Sequence, residues 1–297
     1  MDQAENLRKQ LKQTNSVSAK KPNVARVITV TSGKGGVGKS SVSVNLAIWL
    51  SRMGKRVIVF DADFGLANIE IMLGLRPEYN LADLMFRGKS LKDIITYGPE
   101  NIGFISGGSG INELANMSRE QIYSLIQRLY ELDMMADVII VDTGAGISDA
   151  VLEFVAASEE VLLVATPEPT SITDAYALLK SLNRNVAYVP EKTVIKMIAN
   201  EIRSEKEAEE LFEKLSIVVN KFLNIDVEFL GTIPYDVNMQ KAVMKQAPVS
   251  IIDPNCSSAR AIRKIVEKTW GEGKELEKEN RGLMQLFTSM IRLRLKK

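Results

Sequence analysis

A doubly wound α/β fold, with a mostly parallel sheet flanked by helices, is the expectation for this 297-residue sequence. Three features carry it. Short β-branched runs, apolar on both faces, recur along the chain. Stretches of helical periodicity separate them. A glycine-rich turn joins the first run to the first such stretch. Strands buried on both faces and connected through helices form parallel sheets, and such sheets bind ligands beyond the carboxyl ends of their strands.

Taken in order, strands are expected at Val24–Thr31, Arg56–Asp61, Asn101–Ser106, Asp137–Asp142, Glu160–Thr166, Val194–Asn200 and Val227–Ile233. Their branched side chains suit a pleated surface. Helices are expected over Ser40–Arg52, Ser118–Asp133, Ser171–Asn183, Lys206–Asn220 and Ser257–Trp270, where apolar residues recur every three or four positions. This places one domain over residues 24–270. Residues 1–23 are polar and close on Ser16-Val17-Ser18-Ala19-Lys20-Lys21-Pro22, so they read as an N-terminal arm. Residues 271–280 form a charge-rich linker, and 281–297 a C-terminal segment of different composition.

Composition removes several chemistries. The chain has no His and one Cys, Cys256. It therefore has no Ser-His-Asp triad, no imidazole base, no intramolecular disulfide and no cysteine pair for a metal or cluster. Catalysis falls to carboxylates, lysines, hydroxyls, backbone amides or a hard cation. Met1 to Asn6 lacks the apolar stretch of a secretion signal, and no apolar run approaches the ~20 residues of a membrane span. A cytoplasmic location is the expectation. The 38 Lys+Arg and 37 Asp+Glu give a net charge of +1, which argues against bulk attraction to nucleic acid. The sum hides segregation: residues 1–26 carry +4, 281–297 carry +5 and the body between them −8.

After the first strand comes Thr31-Ser32-Gly33-Lys34-Gly35-Gly36-Val37-Gly38-Lys39-Ser40-Ser41. Gly33 to Ser40 fits G-x-x-x-x-G-K-[ST], the phosphate-binding loop. Its glycines let backbone amides turn inward on phosphate oxygens, and Ser40 opens a helix whose N-terminal dipole favours the anion. Lys39 is expected to reach the β- and γ-phosphates and the Ser40 hydroxyl to bind Mg²⁺ directly. Lys34 is surplus to a plain phosphate loop. It is either a solvated cation or one aimed at the phosphate of a facing subunit, in the manner of an arginine finger.

The second strand ends Phe60-Asp61-Ala62-Asp63-Phe64-Gly65. Alternation along a strand puts Asp61 and Asp63 on one side, where one carboxylate could order Mg²⁺ waters and the other orient an attacking water. Val138-Ile139-Ile140-Val141-Asp142 is an apolar run ending in an acid, the Walker B pattern, with Asp142 near the metal through water. Thr143-Gly144-Ala145-Gly146 behind it reads as a loop able to move when the γ-phosphate leaves.

The terminal seventeen residues hold five cations and no acid. On a helical wheel Leu283, Met284, Leu286, Phe287, Met290, Ile291, Leu293 and Leu295 share about 200°. Arg292 lies opposite, and Arg294 falls inside the apolar sector, from which a long side chain can snorkel. This is the pattern of an amphipathic helix lying on an anionic membrane. A helix packed on the protein's own body fits the same residues.

These motifs together resemble the MinD/ParA family of P-loop ATPases, over nearly the whole chain. Lys34-Gly35-Gly36-Val37-Gly38-Lys39-Ser40 resembles its deviant Walker A loop. Asp61 to Asn68 resembles its switch I, Asp142 to Gly146 its switch II, and Thr166-Pro167-Glu168-Pro169-Thr170-Ser171 a loop near the dimer interface. The resemblance implies a slow, dimerisation-dependent ATPase that uses ATP and Mg²⁺ and forms a homodimer around the nucleotide. It implies that Asp63, Lys34 and Lys39 are catalytic, with Lys34 touching the partner's phosphates and Glu168 a further cross-dimer candidate. It implies that Asn200, Arg203, Pro234, Tyr235 and Asp236 join residues 33–41 in holding the nucleotide. ATP over GTP rests on the resemblance too, since Asn220-Lys221-Phe222-Leu223 lacks the acid of a guanine-reading motif.

Within the family, Asp2-Gln3-Ala4-Glu5-Asn6-Leu7-Arg8 resembles the DQAxxLR motif of the flagellar-number regulators, the FlhG, YlxH and FleN group. That implies partner binding through Asp2, Gln3, Ala4, Leu7 and Arg8, stimulation of the SRP-type GTPase FlhF, contact with flagellar switch or C-ring components, and release of the C-terminal helix to the inner face of the membrane on ATP-driven dimerisation. No direct contact with nucleic acid is expected. The competing reading is a ParA-type ATPase that partitions DNA or positions cargo. It calls for cations on the folded body, whereas here they gather at the termini.

Overall fold

The computed structural model describes residues 24–63, 68–108, 119–271 and 282–294, without side chains at 119–124 and 292–294. In chain order the elements are β1 (Arg26–Ser32), α1 (Lys39–Arg52), β2 (Val57–Ala62), α2 (Asn68–Leu73), α3 (Leu81–Phe86), α4 (Leu91–Ile94), β3 (Thr96–Tyr97) and β4 (Gly103–Ser106). There follow α5 (Arg119–Met135), β5 (Val138–Ala145), α6 (Asp149–Ala157), β6 (Glu160–Ala165), α7 (Pro169–Asn183) and β7 (Val194–Ile202). The chain closes with α8 (Glu205–Phe222), β8 (Val227–Pro234), α9 (Val237–Met244), α10 (Val249–Ile252), α11 (Ser257–Trp270) and α12 (Gly282–Arg294).

The strands form one sheet in the order β3-β4-β2-β5-β1-β6-β7-β8. Only the two-residue β3 is antiparallel. The seven strands expected from β-branched runs are present with ends shifted by up to three residues. β3 was missed because two half-exposed residues carry no periodicity. The helix α6 was also missed. It is short and apolar on most sides, so it lacks a stripe, and its one signal is Ser148, whose Oγ accepts from the Val151 amide at 3.4 Å.

Helices cover both faces. α1 and α11 pack on one, with Val44, Leu46, Ile48, Ile262, Ile265 and Val266 buried against Ile28, Val59 and Ile140. α7 and α8 cover the other face at β6 and β7. α5, α6 and α12 cover that face at β2 and β5. Thus α12, for which the sequence left both a membrane face and a seat on the protein's own body open, packs into the core here. Leu283, Leu286, Phe287, Met290 and Ile291 are all buried, and these are the apolar residues assigned to a membrane face. The side chains of Arg292 and Arg294 lie outside the described residues.

The start of α12 is fastened by one acid. Asp133, fully buried on α5, accepts from the Leu283 amide at 2.6 Å and the Met284 amide at 3.0 Å. It thereby satisfies two of the amides that a helix N-terminus leaves open. Gly282 sits at φ 67° against that carboxylate and Val24, where a Cβ would collide with both. Burial pushes the Asp133 carboxyl up to about 6, against the two amides that favour its ionised form.

Candidate nucleotide site

The phosphate loop leaves β1 at Ser32 and enters α1 at Lys39. Gly38 holds the left-handed conformation at φ 84°, and Gly36 does so at φ 80°. A Cβ on Gly38 would also strike Asn200 Nδ2 at 2.3 Å. Gly33 is required for another reason: α7 lies on it, and a Cβ there would overlap the backbone of Asp174 and Ala175.

Behind the loop lies a buried polar cluster centred on Asp142. Its Oδ2 accepts from Lys39 Nζ at 3.2 Å and from Ser40 Oγ at 2.7 Å, and its Oδ1 from Ser43 Oγ at 2.6 Å. Ser43 went unremarked in the sequence. It stands four residues after Lys39 on one helical face, and that spacing was the available signal. Asp61 is the cross-strand neighbour of Asp142 and is buried. Burial first, then the Asp142 carboxylate, raise the Asp61 carboxyl to about 8, against the Asp63 amide and the Lys39 ammonium. Two buried carboxylates beside a hydroxyl form an oxygen donor set that a divalent cation would stabilise in its ionised form. The residues therefore fit Mg²⁺, with Ser40, Asp61 and Asp142 as its holders.

Asp63 follows the end of β2 rather than lying within it. Its amide donates to Asp61 Oδ1 at 3.0 Å, and its carboxylate stands beside Gly144. Asp142, the Walker B acid, does not end its strand. β5 continues through Thr143 to Ala145, paired with Ala62 on β2 and Ser32 on β1, so the turn read as a mobile loop begins at Gly146. Thr143 Oγ1 donates to the Val30 carbonyl at 3.2 Å, which secures this extension.

A cavity of about 760 Å³ opens from the loop toward β7 and β8, lined by Gly35, Gly36, Gly38, Lys39, Ser40, Ser41, Asp63, Asn200, Pro234, Tyr235 and Asp236. Most of the expected nucleotide residues thus meet. Others stand elsewhere. Val37 is buried and gives its carbonyl to Asn200 Nδ2 at 2.8 Å. Arg203 does not line the cavity; its guanidinium lies over the Tyr235 ring at 5.7 Å. Asp236 lines it, but its carboxylate is spent on the Asn238 amide, the Ser257 and Ser258 hydroxyls and the Ser258 amide. Burial opposes ionisation there, yet those bonds hold the acid well below the ordinary range. The remaining wall includes Glu201 and Met239, which sequence reasoning missed. Glu201 takes φ 61° where the β7–β8 register breaks between Ala199 and Ile202, a conformation no motif announces.

Lys34 turns away from the cavity. Its ammonium pairs with Glu168 of the same chain and donates to Thr170 Oγ1 at 2.8 Å, bridging the loop to the start of α7. The two cross-dimer candidates therefore hold each other in the single chain. Asp2, Gln3, Ala4, Leu7 and Arg8 lie outside the described residues.

This geometry matches a known group. The family description ParA: NUBPL iron-transfer P-loop NTPase matches residues 23–270. The chain belongs to the ParA/MinD family of P-loop NTPases. It is an ATPase of that family. It is 41% identical over 266 residues to the antiactivator FleN of Pseudomonas aeruginosa, covering 90% of this chain and 93% of FleN. It is 34% identical to the flagellum site-determining protein YlxH of Helicobacter pylori, covering 90% of each. Among solved structures, MinD of Pyrococcus horikoshii, complexed with Mg-ADP, matches with a TM-score of 0.62 at 25% identity, covering 82% of this chain and 95% of that one. The MinC:MinD complex of Aquifex aeolicus matches with a TM-score of 0.67 at 24% identity, covering 86% and 100%.

Proposed function

We propose that this ATPase is a nucleotide-driven switch of flagellar number and placement, which dimerises around ATP and binds the inner face of the cytoplasmic membrane through α12. The observation that carries the reading is the position of Phe287. Its ring meets Phe60 and Phe154 at 5.9 Å each. Phe60 directly precedes Asp61, and Phe154 lies on α6, which follows the turn at Gly146. One aromatic side chain thus ties the tail to the strand that carries Asp61 and to the helix that follows Gly146.

In this reading Lys39 leaves Asp142 for the β- and γ-phosphate oxygens, and the loop amides neutralise the rest. Ser40, Asp61 and Asp142 would hold Mg²⁺, which would supply charge neutralisation on the phosphates. Asp63 orients the attacking water. Lys34 gives up Glu168 and Thr170 to reach the partner's phosphates. Motion at Asp63 and Gly146 shifts β2 and α6, loosens the aromatic cluster and frees α12, whose apolar face then enters an anionic leaflet. Two tails in one dimer give avidity, so membrane binding follows nucleotide steeply. The likeness to FleN and YlxH supports the flagellar role. Stimulation of an FlhF-type GTPase through Asp2 to Arg8, and contact with C-ring components, complete the proposal.

Sedimentation with vesicles of anionic lipid tests it. Binding is expected with ATP and Mg²⁺, weakly with ADP, and not for a chain ending at Asn280. Equal binding in all three overturns the reading.

A further inference from the structure

We infer that the free edge of β8 is a docking site for an extended peptide of a partner protein whose residues alternate between acidic and apolar. Among the described residues β8 is hydrogen-bonded to β7 alone, so it ends the sheet. An edge strand presents backbone donors and acceptors that an added strand can pair. Two further features flank that edge, one on each face of the sheet.

On one face α11 runs antiparallel to β8. Ser258 near its start meets Asp236 beyond the strand's end, while Lys268 Nζ reaches back to the Leu230 carbonyl at 3.4 Å. The helix rides close because Gly231 has no side chain; a Cβ there would meet Ile265 Cγ1 at 2.9 Å. Between helix and strand edge opens a cavity of about 550 Å³, lined by Thr232, Ser257, Arg260, Lys264 and Lys268 among others. The three cations are exposed and stand four residues apart. Four helical residues rise about 6 Å, and alternate residues of an extended chain are about 6.6 Å apart. Two carboxylates at alternate positions of an added strand therefore fall opposite Arg260 and Lys264, while Lys268 is engaged at the Leu230 carbonyl. Glu267 is turned to Arg263, its partner at 2.7 Å, so it does not oppose them. Glu228, exposed at the start of β8, disfavours an acid at that end and limits the acidic stretch.

On the other face Phe229 is 37% exposed and lies 5.2 Å from the Phe212 ring of α8. The side chain of an added strand that points away from α11 beside Phe229 meets this aromatic pair, just before the β8 register shifts between Phe229 and Gly231. Its position is one residue out of step with the acids. The surface thus reads a pattern, acid then apolar, as well as a charge. A nucleic acid duplex would use the cations but not the strand edge or the phenylalanines.

The test uses the full chain and a labelled peptide alternating Glu and Val, with a second peptide of equal composition in which the acids are blocked together. Fluorescence anisotropy should give micromolar binding for the first and about tenfold weaker binding or worse for the second. Arg260→Glu with Lys264→Glu should weaken the alternating peptide about tenfold or more, with ATP turnover and the circular dichroism spectrum unchanged. N-methylation of alternate peptide amides on the pairing edge should abolish binding, since it removes the strand hydrogen bonds. Equal affinity for both peptides, or insensitivity to N-methylation, overturns the proposal. So does a double variant that loses duplex DNA binding but keeps the peptide.

Discussion

The phosphate cradle and the groove beneath α12 lie in one core, yet they are built by different means. The cradle is set by backbone: Gly36 and Gly38 at positive φ, Gly33 pressed on α7, and Asn200 bracing the Val37 carbonyl. Its charged centre, Lys39 with Asp142, is buried. The groove is set by side chains, namely Phe60, Phe154, the apolar residues Leu125, Leu129 and Leu132 of α5, and one buried carboxylate at the helix start. A backbone-built site keeps its shape through each cycle. A side-chain-built seat can be vacated by a helix that carries its hydrogen bonds within itself.

The largest effect expected tests the cradle. Lys39→Ala removes the cation proposed to meet the phosphates, and ATP turnover should fall by about two to three orders of magnitude. Asp142 and Asp61 are left facing each other without it, so stability should fall as well. Retained turnover would mean that the loop binds phosphate through its amides alone.

Phe287→Ala tests the seat. A fully buried phenylalanine cut to alanine costs about 3–5 kcal/mol when its surroundings hold still. On the proposed release of α12, a smaller loss on thermal unfolding should come with vesicle binding that no longer needs ATP. A full-sized loss with nucleotide-dependent binding would show that the helix does not detach.

Asp133 sharpens the comparison through pH. Its folded carboxyl is raised to about 6, above the ~3.9 of an unfolded chain. It binds its proton more tightly when folded. Its contribution is fully present below about pH 4 and is lost as the pH rises through 6, a difference of about 3 kcal/mol. Asp133→Asn should flatten that slope between pH 4 and 6 in denaturant titrations, at the cost of one of the two amide bonds to α12. An unchanged slope would assign it to other carboxyls.

The smallest effect concerns Lys34. Its pair with Glu168 is largely solvated, and such pairs contribute about 0–1 kcal/mol. Glu168→Gln should leave stability nearly unchanged and, by freeing Lys34, lower the protein concentration at which ATP produces a dimer in gel filtration. A raised threshold would instead place Glu168 in the dimer contact.

Much of the site was legible because it rests on residues with one physical use. Glycines at fixed spacing before Lys39-Ser40 report phosphate amides, and acids closing apolar runs report the ligand edge of the sheet, wherever they fall. What lay hidden depended on neighbours distant in sequence. Arg203 stacks on Tyr235 instead of lining the cavity, and Asp236 is consumed by Ser257 and Ser258. Glu201 enters through a register break between two strands. None of these leaves a mark in local spacing.

By itself, then, the sequence determined the alternating elements, the parallel sheet and the cradle, since periodicity and glycine placement act within a few residues. The tertiary structure alone decided where the C-terminal helix rests and which of its two readings this state adopts. An apolar stripe states that a surface must be covered, and both a leaflet and a protein groove can cover it. Only the arrangement of Phe60, Phe154 and Asp133, drawn from three separate elements, supplies a seat of the right shape with a carboxylate where the helix begins.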